Sequence, residues 1–221
     1  MTYLKNNIDS IHKIIEASCK KAGRSTSSVT LICVSKTVPP ETILKAKELG
    51  ETVFGENRPQ ELREKFSLIP DATWHLIGHL QTNKVKYVVG KASLIHSVDS
   101  LHLAEAINEE ALKKGIIQDI LLEVNISGEE SKYGLTTEQI PNIIKEIGSL
   151  ENVSFKGFMT MAPLGAPEDE IRSIFRRAKE LFDEYTPFGA EVLSMGMSGD
   201  FPIAIEEGAT HIRVGRAVFK N

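Results

Sequence analysis

Eight short apolar, β-branched runs recur along this chain, and that rhythm restricts the fold more than any other feature. They are residues 29–36 (VTLICVSK), 52–57, 73–80, 93–99, 119–126, 153–161, 191–197 and 210–216. Several are apolar on both faces, as expected of parallel strands covered by helices. Amphipathic stretches lie between them. Ile43, Leu44, Lys47 and Leu49 mark one, Leu103, Ala104, Ile107, Ala111 and Leu112 another. Ile171, Ile174, Phe175, Ala178, Leu181 and Phe182 form the clearest apolar stripe. Thr136 followed by Gln139 reads as a capping box, and FPIAIEEGA after the seventh run has the weakest helical pattern. Ahead of the first run, Leu4, Ile8, Ile11, Ile15 and Cys19 predict a helix over residues 4–22 that stops at Gly23.

Strand and helix alternating eight times point to an α/β fold, a single closed (β/α)8 barrel with an extra N-terminal helix, forming one domain over residues 1–221. An open doubly wound sheet is the alternative, and the lack of a GxGxxG after the first run counts against it. Hydrophobic residues make up 41% and charged residues 25%, which sets disorder aside. The net charge of -4, without a basic stripe, makes nucleic acid and anionic membranes poor partners. Cys19 and Cys33 form neither a disulfide framework nor a CxxC metal motif. The first residues, MTYLKNNIDSIHK, have no apolar signal core, and no apolar run reaches membrane-spanning length. A reducing cytoplasm is the expected compartment.

In such a barrel the chemistry belongs at the C-terminal ends of the strands. Lys36 ends the first run, directly after Leu31–Val34. Buried there, it would lose its charge readily, and a neutral amine attacks an aldehyde; a lysine that simply snorkels into solvent is the other reading. Lys156 also lies on a strand, near its start and so at the wrong end, which suits a structural role. Gly196-Met197-Ser198-Gly199 and Gly215-Arg216 follow the last two runs, where small residues let backbone N–H groups approach a phosphate. Arg213 could face the mouth or pair with a carboxylate such as Glu206 or Glu207. His75 and His79 are four residues apart on a strand, about 13 Å, too far to share a metal. Met159, Met161, Met195 and Met197 could wall a flat ring or simply fill core.

Taken together, these segments resemble the pyridoxal phosphate homeostasis proteins, small barrels similar to the N-terminal domain of alanine racemase. The matching pieces are Val34-Ser35-Lys36-Thr37, Phe54-Gly55-Glu56-Asn57, His75 to Gln81 with Asn83-Lys84, and Val124-Asn125 with Ser131-Lys132. Gly157 to Met161, Leu193 to Ser198 and Ile212 to Gly215 complete them, in order, along nearly the whole chain. The resemblance implies pyridoxal 5'-phosphate as cofactor, with Lys36 forming the internal aldimine. It implies Ser198, Gly199, Gly215 and Arg216 around the phosphate, Arg213 facing the pyridine nitrogen and Asn57 bordering the ring. An arginine there does not readily release a proton, so the ring nitrogen stays unprotonated and its electron sink is weakened.

The chain ends at Asn221, just past the eighth run, without the second domain of alanine racemase or a match to its catalytic tyrosine. The expectation is therefore a monomeric protein that stores, buffers or delivers the cofactor, with apo forms of pyridoxal phosphate enzymes as candidate recipients. A weakly active amino-acid racemase is the alternative, and a cofactor-free Schiff-base aldolase using Lys36 or Lys156 ranks third.

Overall fold

The structure, a computed structural model, describes residues 2–128 and 133–220. Eight parallel strands close into a barrel in sequence order: β1 (Thr30–Val34), β2 (Val53–Glu56), β3 (Thr73–Leu76), β4 (Leu94–Val98), β5 (Gln118–Glu123), β6 (Val153–Met159), β7 (Val192–Ser194) and β8 (His211–Val214). β8 returns to β1 with Leu31 opposite Ile212 and Cys33 opposite Val214. The helices are α1 (Thr2–Lys21), α2 (Pro40–Glu48), α3 (Pro59–Leu68), α4 (Leu101–Lys114), α5 (Ile140–Ile147), α6 (Glu168–Tyr185), α7 (Phe201–Glu206) and α8 (Arg216–Phe219).

The closed barrel and the leading helix agree with the sequence, but most of the runs overreach at their C-terminal ends. Residues 35–36 and 77–80, for example, lie beyond β1 and β3. Their residues leave the ladder to build the barrel mouth. After β3 a 3-10 helix at Thr82–Tyr87 takes the place of an α-helix. The capping box forms as expected, with the Gln139 side chain accepting from the Thr136 N–H at 2.9 Å.

The apolar stripes explain the packing. On α1, Leu4, Ile8, Ile11, Ile15 and Cys19 are all buried, and the helix lies against α7 and α8. Asn7 then ties the C-terminal segment down, donating to the carbonyls of Val218 and Lys220 at 3.0 and 2.9 Å. On α6, Ile174, Phe175 and Ala178 are buried. Leu44 and Leu112 depart from expectation: both are exposed, because each lies one residue from a buried neighbour and so about 100° around the helix from it.

Inside the barrel, Leu94, Leu121 and Met159 form a small apolar layer. Above it, alternation along the strands turns polar groups inward. Trp74 and Leu76 join the large core under the helices while His75 points the other way, and Ile212 and Val214 do the same around Arg213. Lys156 sits where the β5–β6 register slips, between Phe155 opposite Ile120 and Gly157 opposite Leu121. Its ammonium pairs with Glu191 at 3.6 Å, the kind of ion pair a structural lysine makes. No helix among the described residues is long and apolar enough to cross a membrane.

Candidate functional site

Lys36, Asn57, Ser198, Gly199, Gly215 and Arg216 follow β1, β2, β7 and β8, and Arg213 lies on β8. Those four strands are consecutive around the closed barrel, so six of the residues follow the strand ends of one arc and Arg213 lies inside the barrel on the same arc. The opposite arc carries His79, Asp99, Glu123 and Thr160. Ser131 and Lys132, part of the resemblance, lie outside the described residues.

Lys36 is exposed, so of the two readings its position allowed, a buried neutral amine and a side chain reaching into solvent, the structure has the second. The strand ends at Val34, and the chain turns outward before the lysine. The residues on either side are held firmly. Lys65 donates to the Ser35 carbonyl and to Glu56 Oε1, both at 2.7 Å, and the Ser35 hydroxyl donates to the same Glu56 oxygen at 2.7 Å. On the other side, the Thr37 N–H donates to Glu61 at 3.1 Å, and Thr37 has φ of 61°, unusual for a β-branched residue. Burial raises the Glu56 carboxyl above its ordinary range, while its bonds to Lys65 and Ser35 pull it back. Its second oxygen has no partner among the described residues.

Asn57 is half-buried at the end of β2. A Cβ on Gly78 would lie 2.3 Å from the Asn57 carbonyl oxygen, so glycine lets the two loops approach this closely.

The loop after β7 is a compact turn. Gly196 has φ of 89°, and a Cβ there would come within 2.5 Å of Ala204 Cβ. Asp200 closes the turn by accepting from the Met197 N–H at 2.5 Å, while the N–H groups of Asp200 and Phe201 return to the Met197 carbonyl. The backbone N–H groups of Ser198 and Gly199 find no acceptor among the described residues, and neither do those of Gly215 and Arg216 on the adjacent strand end. Four unpaired donors on neighbouring loops suit an anion.

Arg213 is 4% exposed and points into the barrel. It donates to Ser194 Oγ at 2.6 Å and to the Thr160 carbonyl at 3.0 Å. Burial lowers its pKa to about 10 against the pull of Glu123 and Asp200. Glu206 and Glu207, the alternative partners, pair with Lys21, Arg172 and Arg176 instead. Glu123 is pushed up to about 7 by burial first and then by Asp99, with Arg213 opposing.

The sequence did not reveal a set of buried histidines behind Arg213. His96 Nδ1 lies 2.9 Å from Ser194 Oγ, and its Nε2 lies 3.0 Å from His75 Nδ1. The His75 ring stacks on His211 with centroids 6.0 Å apart. Burial lowers His75 to about 3 and His211 to about 4, and holds His96 well below its ordinary value. The available signal was a lone histidine inside the apolar run LIHSV, at 94–98. His79 stands apart at the mouth, 3.4 Å from Asp99 and stacked on Tyr133 at 4.5 Å. Among the described residues no group of three or more histidine, cysteine, aspartate or glutamate side chains could hold a metal. Of the four methionines, Met159 belongs to the interior apolar layer and Met195 to the outer core, so they do not form one wall.

Comparison with known proteins gives this geometry a context. The alanine racemase N-terminal domain family matches residues 9–221. The pyridoxal phosphate homeostasis protein of Aquifex aeolicus is 44% identical over 210 residues, covering 93% of this chain and 92% of the relative. Its human counterpart is 35% identical over 206 residues, 86% of this chain and 75% of the relative. The solved structure of PipY from Synechococcus elongatus with PLP bound superposes with a TM-score of 0.82 at 36% identity, over 93% of this chain and 99% of that one. Alanine racemase of Clostridium difficile, at 14% identity and a TM-score of 0.77, shares the fold. With identity of this order across nearly the full length of its relatives, and with the same barrel beneath it, this chain belongs to the pyridoxal phosphate homeostasis protein family.

Proposed function

We propose that residues 1–221 act as one domain that binds pyridoxal 5'-phosphate on the β7–β8–β1–β2 arc and serves intracellular pyridoxal phosphate homeostasis by holding and releasing it. The observation that carries this reading is the arc itself. A phosphorylated pyridine aldehyde needs a primary amine, a cradle of N–H donors and a partner for its ring nitrogen. Lys36, the N–H groups of Ser198, Gly199, Gly215 and Arg216, unpaired among the described residues, and the Arg213 guanidinium supply these from adjacent strands. Asn57 borders the same space from β2. The homeostasis proteins at 35–44% identity and the PLP-bound relative support the same cofactor.

The chemistry the cofactor supplies when bound is a reactive aldehyde and an electron-withdrawing ring. The residues of this chain favour retention over turnover. Arg213 is held by Ser194 and Thr160 and keeps its proton, so it would hold the ring nitrogen of a bound cofactor as an acceptor and weaken the ring as an electron sink. Lys36, exposed at the rim, is open to exchange with incoming amines. On this reading the protein works as a cytoplasmic monomer whose recipients are apo forms of pyridoxal phosphate enzymes.

One observation favours a second reading, a weak racemase. Tyr133 and the His79–Asp99 pair stand on the arc opposite Lys36, where a second acid/base group would be required.

The first test is the absorption spectrum of the purified protein with added pyridoxal phosphate, before and after borohydride, followed by peptide mapping. A visible band that borohydride removes, leaving the pyridoxyl mass on Lys36, is expected. A protein that stays colourless and takes up no cofactor overturns the proposal. Steady-state assays with L- and D-amino acids separate the two readings.

A further inference from the structure

Arg213 does not end at its own hydrogen bonds; it heads a chain of buried groups that crosses the barrel. Ser194 Oγ is 2.6 Å from Arg213 Nη1 and 2.9 Å from His96 Nδ1, and His96 Nε2 is 3.0 Å from His75 Nδ1. Ser194 and His96 are fully buried, and His75 is nearly so. Ser194 lies on β7 and His96 on β4, strands that are not neighbours, so the contact spans the barrel interior.

A guanidinium can only donate, so Ser194 must accept from Arg213. Its own proton then needs an acceptor. The one acceptor within reach among the described residues is His96 Nδ1. If His96 instead donated from Nδ1, the Ser194 hydroxyl proton would be buried without a partner, a loss of about 1–3 kcal/mol. With Nδ1 accepting, a neutral His96 carries its proton on Nε2 and donates to His75 Nδ1. His75 in turn carries its proton on Nε2. Burial keeps both rings neutral, so neither becomes a double donor near neutral pH.

We infer that Ser194, His96 and His75 form a one-directional hydrogen-bond chain that fixes the orientation of Arg213, and that His96 is thereby a positioning residue for the ligand Arg213 faces. The part concerning the ligand rests on the function proposed above; the direction of the chain does not. The chain turns the lone pairs of Ser194 toward Arg213 and pins one guanidinium nitrogen to it, while the Thr160 carbonyl pins the other.

Two experiments test this. The first is nitrogen-detected NMR of the histidines in the cofactor-free wild-type protein near neutral pH. Both His75 and His96 are expected as Nε2–H tautomers with an unprotonated Nδ1; an Nδ1–H or doubly protonated His96 overturns the inference. The second compares His96→Gln with His96→Leu. Glutamine can accept through its oxygen and donate through its nitrogen, preserving the direction, whereas leucine breaks the chain.

We expect His96→Leu to weaken pyridoxal phosphate binding about tenfold and to shift the absorption band of the bound cofactor, with His96→Gln within about threefold of wild type. Equal losses in both variants, or an unchanged spectrum and affinity in His96→Leu, overturn the positioning role. If His96→Leu does not fold, Ser194→Ala takes its place, since it cuts the same link and leaves both histidines. A wild-type protein that takes up no pyridoxal phosphate overturns the proposed function, and the tautomers alone then decide the inference.

Discussion

Lys65 and Glu123 show how much a single buried charge can set here. Lys65 neutralises Glu56 and holds the carbonyl next to Lys36. Lys65→Met leaves a buried carboxylate without its cation, and we expect a loss of about 3 kcal/mol in urea unfolding. Glu56→Gln combined with Lys65→Met should lose less than the sum of the two, because the stranded charge is gone. If the losses simply add, the two residues do not act as a pair. Glu123 works through pH. Its carboxyl titrates at about 7 when folded, against an ordinary 4.5. The folded state therefore holds an extra proton between those values. The resulting stability is complete below 4.5 and is lost as pH rises through 7. Glu123→Gln should consequently stabilise the protein at pH 8 by about 1–2 kcal/mol and gain nothing at pH 4. An equal gain at both pH values would show that packing, not ionisation, is responsible.

Loops make the site out of strands that otherwise only close a barrel. The turn after β7 depends on Gly196, whose left-handed backbone and contact with Ala204 leave no room for a side chain. Gly196→Ala should cost about 2 kcal/mol and weaken phosphate binding by disturbing Ser198 and Gly199, read by thermal melting and by titration with pyridoxal phosphate. A variant of unchanged stability would mean that α7 moves freely away from the turn. The eight strands were legible because each is a β-branched run with its own period. Their ends were not, since apolar character continues past the ladder through Ile77 to Leu80, which is buried in the core beyond the end of β3. The small residues after β7 and β8 marked loops at the strand ends, and their assignment to a phosphate rests on the function proposed above. The Lys36 bracket was not legible, because Lys65 and Glu61 arrive from α3 and look like ordinary surface charges in the sequence. The His96–Ser194 link joins residues 98 positions apart, and no local pattern encodes a contact across a barrel.

Placing several neutral histidines inside one barrel gives the whole molecule a pH-dependent stability. His75 and His211 have folded values of about 3 and 4 against an ordinary 6.5. Between those values the unfolded chain binds protons that the folded one refuses. Stability is thus complete above 6.5 and is lost as pH falls toward 3. Each fully excluded histidine adds a slope approaching about 1.4 kcal/mol per pH unit. Glu123 acts in the opposite sense over 4.5 to 7, so it partly masks this loss near neutrality and ceases to do so in acid. Unfolding free energy should therefore fall most steeply below about pH 4.5, where the histidines act without that offset. Replacing one ring separates the contributions. His75→Gln removes one titrating group while keeping an amide able to accept from His96. Its unfolding free energy, measured by urea between pH 6 and 4, should decline less steeply than that of wild type by up to about 1.4 kcal/mol per pH unit. The slope is the informative quantity, because a packing defect lowers the curve at every pH alike. Parallel curves would mean that His75 takes up a proton in the folded barrel, and a charged His75 beside His96 would also break the direction of the chain that holds Arg213.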